Sequence, residues 1–161
     1  MTRAYKELNF ENETRKHQQE VARWLNEIAT ALMDRAQEHD ESKLGETERP
    51  LFIEHTAKLH DLTYGSEKYK KELKLLQEAL DHHYEANRHH PECHDEGIRD
   101  MNLVDIVEMF CDWYAATKRH DDGDIYKSIE HNRGRFLIGD QIAAVFTNTA
   151  DVFKQTEEDE L

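Results

Sequence analysis

Three short segments of the sequence carry side chains that can hold a metal ion, and the first contains His39 and Asp40, followed by Lys43. Imidazole and carboxylate are common ligands of divalent metals. We expect the chain to leave a helix here, so the two adjacent side chains need not diverge by the helical step of about 100°. Both can then reach one ion, with Lys43 nearby as a cation for an anionic substrate. Alone, a His-Asp pair is more typical of an ordinary helix end.

The second segment, residues 82–90, contains four histidines: His82, His83, His89 and His90. Helical spacing places His83 and Asn87 on one face with the neighbouring leucines, and His90 joins them if the helix continues for another turn. His82 and His89 lie about 100° further round and are the alternative inward-facing pair. A buried imidazole needs a polar partner, which a metal ion would supply. The alternatives are a solvated helix end and a core histidine bonded to a carbonyl group.

The third segment places Asp112 inside the most apolar predicted helix, 103–117. Aspartate is rarely buried in such a helix without a partner of opposite charge. The alternative is that Asp105 and Asp112, which are seven residues apart, line the solvated face of that helix.

Taken in chain order, the three segments resemble the HD-domain metal-dependent phosphohydrolase superfamily. Residues 36–43 are similar to its HD-x-x-K motif, residues 82–92 to its later histidines, and residues 111–117 to its late aspartate. His17, with Val21 four residues later, looks like the opening H-x-x-x-V. The chain as a whole is also similar to a small uncharacterised family of bacteria and their phages. The shared signatures are Tyr-Gly-Ser at 64–66 and HHxxxNxHHPE at 82–92.

The superfamily resemblance implies an all-helical fold and one or two divalent transition-metal ions, drawn from Mn, Fe, Co, Ni and Zn. His39, Asp40 and Asp112 would hold the first ion, together with His17. Histidines among residues 82–90 would hold a second ion, with Asp40 bridging the two. His17 and His39 are 22 residues apart, however, without an intervening Gly or Pro. One unbroken helix would separate them by about 33 Å, so His17 can contribute only if the helix breaks near residues 26–30.

The implied reaction is attack of metal-activated water on a nucleotide or another small phosphate ester. Lys43 or Arg88 would steady the anion, and the candidate catalytic residues are Asp40, Lys43, Asn87 and Arg88. An HD-fold di-iron oxygenase with the same ligand order is one alternative. A non-enzymatic acidic helical binding protein, with a structural metal or none, is the other.

The composition limits the possible partners. The chain has 161 residues and a formal charge of −14, which disfavours binding to duplex nucleic acid. Small anionic substrates stay possible, because a bound metal reverses the local field. Cys93 and Cys111 form neither a disulfide framework nor a metal-ligand spacing, and no signal peptide or membrane segment is visible, which predicts a cytoplasmic protein. Self-association of the chain stays open.

The elements that must position these side chains are all predicted to be helices. Apolar residues recur at intervals of three and four, and glycine and proline are scarce. The pattern predicts about six helices. They are residues 14–39, residues 51–62, a third helix that has Ser66 as its N-cap and carries Leu73 to Asn87, and residues 103–117, 125–136 and 141–153. Turns are expected at 63–66 and 121–124, and an irregular segment at 88–101. We expect one HD-like helical domain over residues 1–161, with residues 1–12 and 155–161 as frayed tails.

Overall fold

The computed structural model describes residues 3–60, 62, 66–119 and 123–159. These residues form seven α-helices and three 3₁₀ turns and contain no strand, which confirms the predicted all-α class. By their contacts they divide into two compact units, residues 1–38 and residues 39–161. Residues 63–65 and 120–122, which make up most of the two expected turns, lie outside the described part of the chain.

The first unit is a single helix, α1, which spans Arg3–Glu38 without interruption. It begins well before the predicted start near residue 14, so the expected frayed tail at residues 3–12 is helical. No glycine or proline precedes Gly45, and neither a strong breaker nor a stop signal interrupts the run. The break near residues 26–30 on which a role for His17 depends is therefore absent.

The second unit begins with a 3₁₀ turn over Glu41–Leu44, followed by three helices: α2 (Arg49–His60), α3 (Glu67–Leu75) and α4 (Gln77–Ala86). The Ser66 side chain accepts a hydrogen bond from the Tyr69 amide at 3.1 Å, which confirms the predicted N-cap of α3. The sequence predicts α3 and α4 as one helix, but they separate at Leu76, which is buried. Leu76 is a good helix former, so no local signal marks this break.

The core of the second unit lies between the last three helices, α5 (Leu103–Thr117), α6 (Ile125–Phe136) and α7 (Asp140–Asp159). The bounds of α5 and α6 match the prediction, whereas α7 continues into the expected tail. A capping box formed by Asn102 and Asp105 starts α5, and Asp124 caps α6. Phe110 of α5 stacks on Phe146 of α7 with ring centroids 5.2 Å apart.

The segment between α4 and α5 contains two short 3₁₀ turns, Pro91–Cys93 and Gly97–Asp100. This agrees with the predicted irregular stretch, and Gly97 adopts a positive φ of 58° that favours glycine. None of the helices in the described residues has the length and apolar character required to cross a membrane.

Replacing Phe146 with Ala should lower the free energy of unfolding by about 3–5 kcal/mol, because it empties a buried ring site in the core. Chemical denaturation monitored by circular dichroism measures the change. The neighbouring Val145 is exposed, and Val145→Ala should change stability by less than about 0.5 kcal/mol. Similar losses for both variants would contradict the described core.

Candidate metal centre

Asp40 lies at the middle of the histidine cluster. Its backbone adopts the left-handed conformation, with φ 58°, just before the first 3₁₀ turn. Aspartate tolerates this conformation better than most residues. Burial raises the pKa of the Asp40 carboxyl, but His83 and Lys43 lower it by more, so the pKa lies well below its ordinary value. The side chain is therefore a carboxylate, with Oδ1 on one side and Oδ2 on the other.

Three imidazoles, those of His83, His89 and His90, lie around the Asp40 carboxylate and could hold an ion together with it. The Nε2 atoms of His83 and His89 lie 3.2 and 3.6 Å from Oδ1. The Nε2 atoms of His83 and His90 are 2.9 Å apart. When ligand atoms bind a cation at about 2.0–2.2 Å, the distance between two of them depends on the angle that they form at the ion. This distance is about 2.9 Å for a right angle and about 3.4 Å for the tetrahedral angle. The four side chains have the spacing of a metal-ligand set.

Unpartnered atoms provide a second test of the fit. Asp40 Oδ1 and both ring nitrogens of His89 are buried and make no hydrogen bond within the described residues. The contacts of Oδ1 with His83 and His89 are close but lack hydrogen-bond geometry. An unsatisfied buried polar group costs about 1–3 kcal/mol. A cation between these atoms would be a partner for both Oδ1 and His89 Nε2, the ring nitrogen that faces Oδ1. The residues therefore fit a metal ion.

Burial sets the protonation of His90. Burial, together with the neighbouring His89 and His83, lowers the pKa of His90 to about 3. The imidazole is therefore neutral near pH 7, as a metal ligand must be.

The position of His89 and His90 depends on the end of α4 at Ala86. His90 is extended, with φ −90° and ψ 123°, as expected for a residue before a proline. His83 and His90 do meet, as one of the two predicted pairings has it, but not through a continued helix. The alternative pair of His82 with His89 does not form, because only His89 joins the group. The chain leaves the helix, and His89 and His90 reach the cluster from a loop.

Two buried glutamates contact the histidines from outside the cluster. Glu48, which precedes α2, lies 2.7 Å from His82 Nδ1 and 3.1 Å from His83 Nδ1. Glu108 of α5 lies 3.0 Å from His39 Nδ1 and 3.1 Å from His89 Nδ1, the latter contact without hydrogen-bond geometry. A carboxylate on Nδ1 selects the tautomer whose Nε2 lone pair is free for a metal.

Neither glutamate is predicted from the sequence, although one signal for Glu108 is present. Asp105, Glu108 and Asp112 follow at intervals of three and four on one face of the most apolar helix. Asp105 is 0% exposed and the Glu108 side chain only 9%, whereas the Asp112 side chain is 23% exposed. The alternative of a solvated face is therefore wrong for Asp105. Glu48 carried no comparable signal, because it belongs to a polar bend.

Two further groups of side chains could hold an ion. His39, Asp40 and Asp112 form one, with His39 Nε2 3.5 Å from Asp40 Oδ2 and 3.7 Å from Asp112 Oδ1. His39, His89 and Glu108 form the other. In the latter group, Glu108 accepts a hydrogen bond from His39 Nδ1, and we interpret Glu108 as the partner that orients both rings.

Solvent reaches the centre from one side. The side chains of His39, Lys43 and Asp112 are 30%, 35% and 23% exposed. Those of His83 and His89 are 2% and 1% exposed. The His39 side of the cluster is therefore its more accessible side.

Arg88 and Asn87, predicted to be catalytic, make structural contacts. The Arg88 guanidinium donates to both oxygens of Asp105, at 2.9 and 3.3 Å, and joins the loop of His89 to the start of α5. Asn87 Nδ2 donates to Ser42 Oγ at 2.7 Å and to the His83 carbonyl at 2.8 Å. These contacts connect the loop to its neighbours.

His82 and His17 do not join the groups found among the described residues. The His82 ring is half-exposed and contacts Glu48 instead. His17 precedes Glu38, the last residue of α1, by 21 positions, or about 32 Å of continuous helix. The expectation that His17 is a ligand is therefore not met. Tyr64 and Gly65, of the signature at 64–66, lie outside the described residues.

The fold and the site together define an all-helical protein with a buried histidine–carboxylate cluster that could hold a metal ion. The chain belongs to DUF5662, a family of unknown function, whose model matches residues 6–158. This agrees with the expected similarity to an uncharacterised family. No curated protein and no solved structure matches the chain.

Proposed function

We propose that residues 39–161 hold a divalent transition-metal ion and that the protein hydrolyses a nucleotide or another small phosphate ester. The observation that carries the proposal is the convergence of three imidazoles on the Asp40 carboxylate, with Oδ1 of that carboxylate and a ring nitrogen of His89 buried and unpartnered. When bound, the metal would supply Lewis acidity and a nucleophilic water. The ligands would be Asp40, His83, His89 and His90.

The other residues of the site have separate tasks in this proposal. Glu48 and Glu108 orient the imidazoles through their Nδ1 atoms. His83 and His89, both buried, keep bulk water from the inner side of the site. Lys43, on the more exposed side, is the cation that a phosphoryl oxygen would meet.

The choice of a phosphate ester is supported by the order of these residues. His39-Asp40, then the histidines of residues 83–90, then Asp112 resembles the ligand order of the HD-domain superfamily. A cation beside the metal position also suits an anionic substrate. We include a cytoplasmic location in the proposal, because neither cysteine forms a disulfide within the described residues.

Elemental analysis of the purified protein, before and after dialysis against a chelator, tests the metal. We expect bound Mn, Fe, Co, Ni or Zn, its loss on chelation, and phosphate release from nucleotides only in the metal-loaded protein. His17→Ala should retain both metal and activity, because His17 belongs to none of the candidate ligand groups.

A protein without metal after loading with each of these ions would contradict the proposal. Bound iron with a visible charge-transfer band and no phosphate release would favour the oxygenase alternative instead. Loss of metal in His17→Ala would show that the ligand set is wrong.

A further inference from the structure

The two oxygens of the Asp40 carboxylate have different neighbours. Oδ1 faces the imidazoles of His83 and His89 and has no hydrogen bond. Oδ2 accepts a hydrogen bond from Lys43 Nζ at 2.5 Å. One side of the carboxylate is therefore free for an ion, and the other side already has a cation.

A second ion would need the same oxygen that Lys43 holds. The second group of possible ligands consists of His39, Asp40 and Asp112, and His39 Nε2 lies 3.5 Å from Oδ2. Two-metal sites place their ions about 3.5–4 Å apart with shared oxygen ligands. The Lys43 ammonium group lies within hydrogen-bond distance of Oδ2. Its positive charge repels a second ion, and its hydrogen bond uses the oxygen that this ion would need as a ligand.

The backbone keeps Lys43 in this position. Lys43 and Asp40 are three residues apart across a 3₁₀ turn, and the Lys43 amide donates to the Asp40 carbonyl at 2.9 Å. The ammonium also lies 5.8 Å from the centre of the Phe52 ring, on the first turn of α2. Such contacts favour a cation at this place even before any substrate arrives.

We propose that Lys43 takes the place of a second metal ion, so that the centre holds a single ion at Asp40, His83, His89 and His90. This inference rests on the proposed metal centre. Replacing Lys43 with an uncharged side chain frees Oδ2 and removes one positive charge. The group of His39, Asp40 and Asp112 then becomes able to bind a second ion.

Equilibrium dialysis against Mn²⁺ with elemental analysis measures the stoichiometry, and electron paramagnetic resonance distinguishes an isolated Mn²⁺ from a coupled pair. We expect one ion per wild-type chain and two per chain for Lys43→Met, with the spectrum of a coupled pair. Lys43→Arg keeps the charge and should bind one ion. The double variant Lys43→Met/Asp112→Asn should also bind one ion per chain.

Lys127→Met, on the exposed face of α6, is the matched control and should bind one ion. Two ions in the wild type, or a single ion in Lys43→Met, would overturn the inference and leave the metal centre itself standing. No ion in the wild type would overturn the proposed function as well. Lys43→Gln, a second uncharged variant, repeats the test if Lys43→Met does not fold by circular dichroism.

Discussion

Asp40→Asn should lower the metal affinity by more than about 100-fold and abolish metal-dependent phosphate release. Partners that only orient a metal ligand contribute about 10- to 100-fold to affinity, so loss of the central ligand should cost more. Asparagine is neutral and cannot balance the charge of an ion between three imidazoles. It has nearly the same shape as aspartate, and it tolerates the left-handed backbone that Asp40 adopts. The substitution therefore tests the charge of the ligand rather than the fold.

Isothermal titration with Co²⁺ or Mn²⁺ measures the affinity, and circular dichroism checks the helical content. Asp95→Asn is a suitable control, because Asp95 is exposed and belongs to none of the candidate ligand groups. It should bind metal as the wild type does. Unchanged affinity in Asp40→Asn would contradict both the ligand set and the proposed function.

Glu108→Gln should weaken metal binding by about 10- to 100-fold while leaving the helical fold intact. Glu108 Oε1 lies close to the Nδ1 atoms of both His39 and His89, so one carboxylate orients two rings. Glutamine keeps the size of the side chain but loses the charge that favours the Nδ1–H tautomer. The rings of His39 and His89 should then no longer favour the tautomer whose Nε2 lone pair is free for a metal.

Nitrogen chemical shifts of the imidazoles report the tautomers directly, which separates an orienting role from a loss of stability. We expect His39 and His89 to change tautomer populations in Glu108→Gln, and the exposed His131 to stay the same. Glu130→Gln, on the exposed surface of α6, should alter neither the shifts nor the affinity. A weaker affinity with unchanged tautomers would contradict the orienting role.

Much of the fold was predictable from local patterns. The helical class and the bounds of α5 and α6 follow from apolar periodicity and capping residues, which act within a few positions along the chain. The separation of α3 from α4 at Leu76 was not predictable. No local breaker marks that position, and its burial belongs to the tertiary packing.

The candidate site, like the fold, was predictable only in part. The identities of His39, Asp40, His83 and Asp112 were proposed from residue type and order alone, and all of them lie in the cluster or its second group. The pairing of His83 with both His89 and His90 was not predictable. It depends on a helix that ends at Ala86 and a loop that returns, so the helical angles used for the prediction no longer applied.

The sequence by itself therefore determined the helical class, the types of the candidate ligands and their order along the chain. Only the tertiary structure decided which atoms converge and which residues orient them. Glu48 and Glu108 join the histidines across 19 to 69 positions of the chain. Contacts over such distances arise from the packing of whole helices, and a periodicity within one helix carries no information about them.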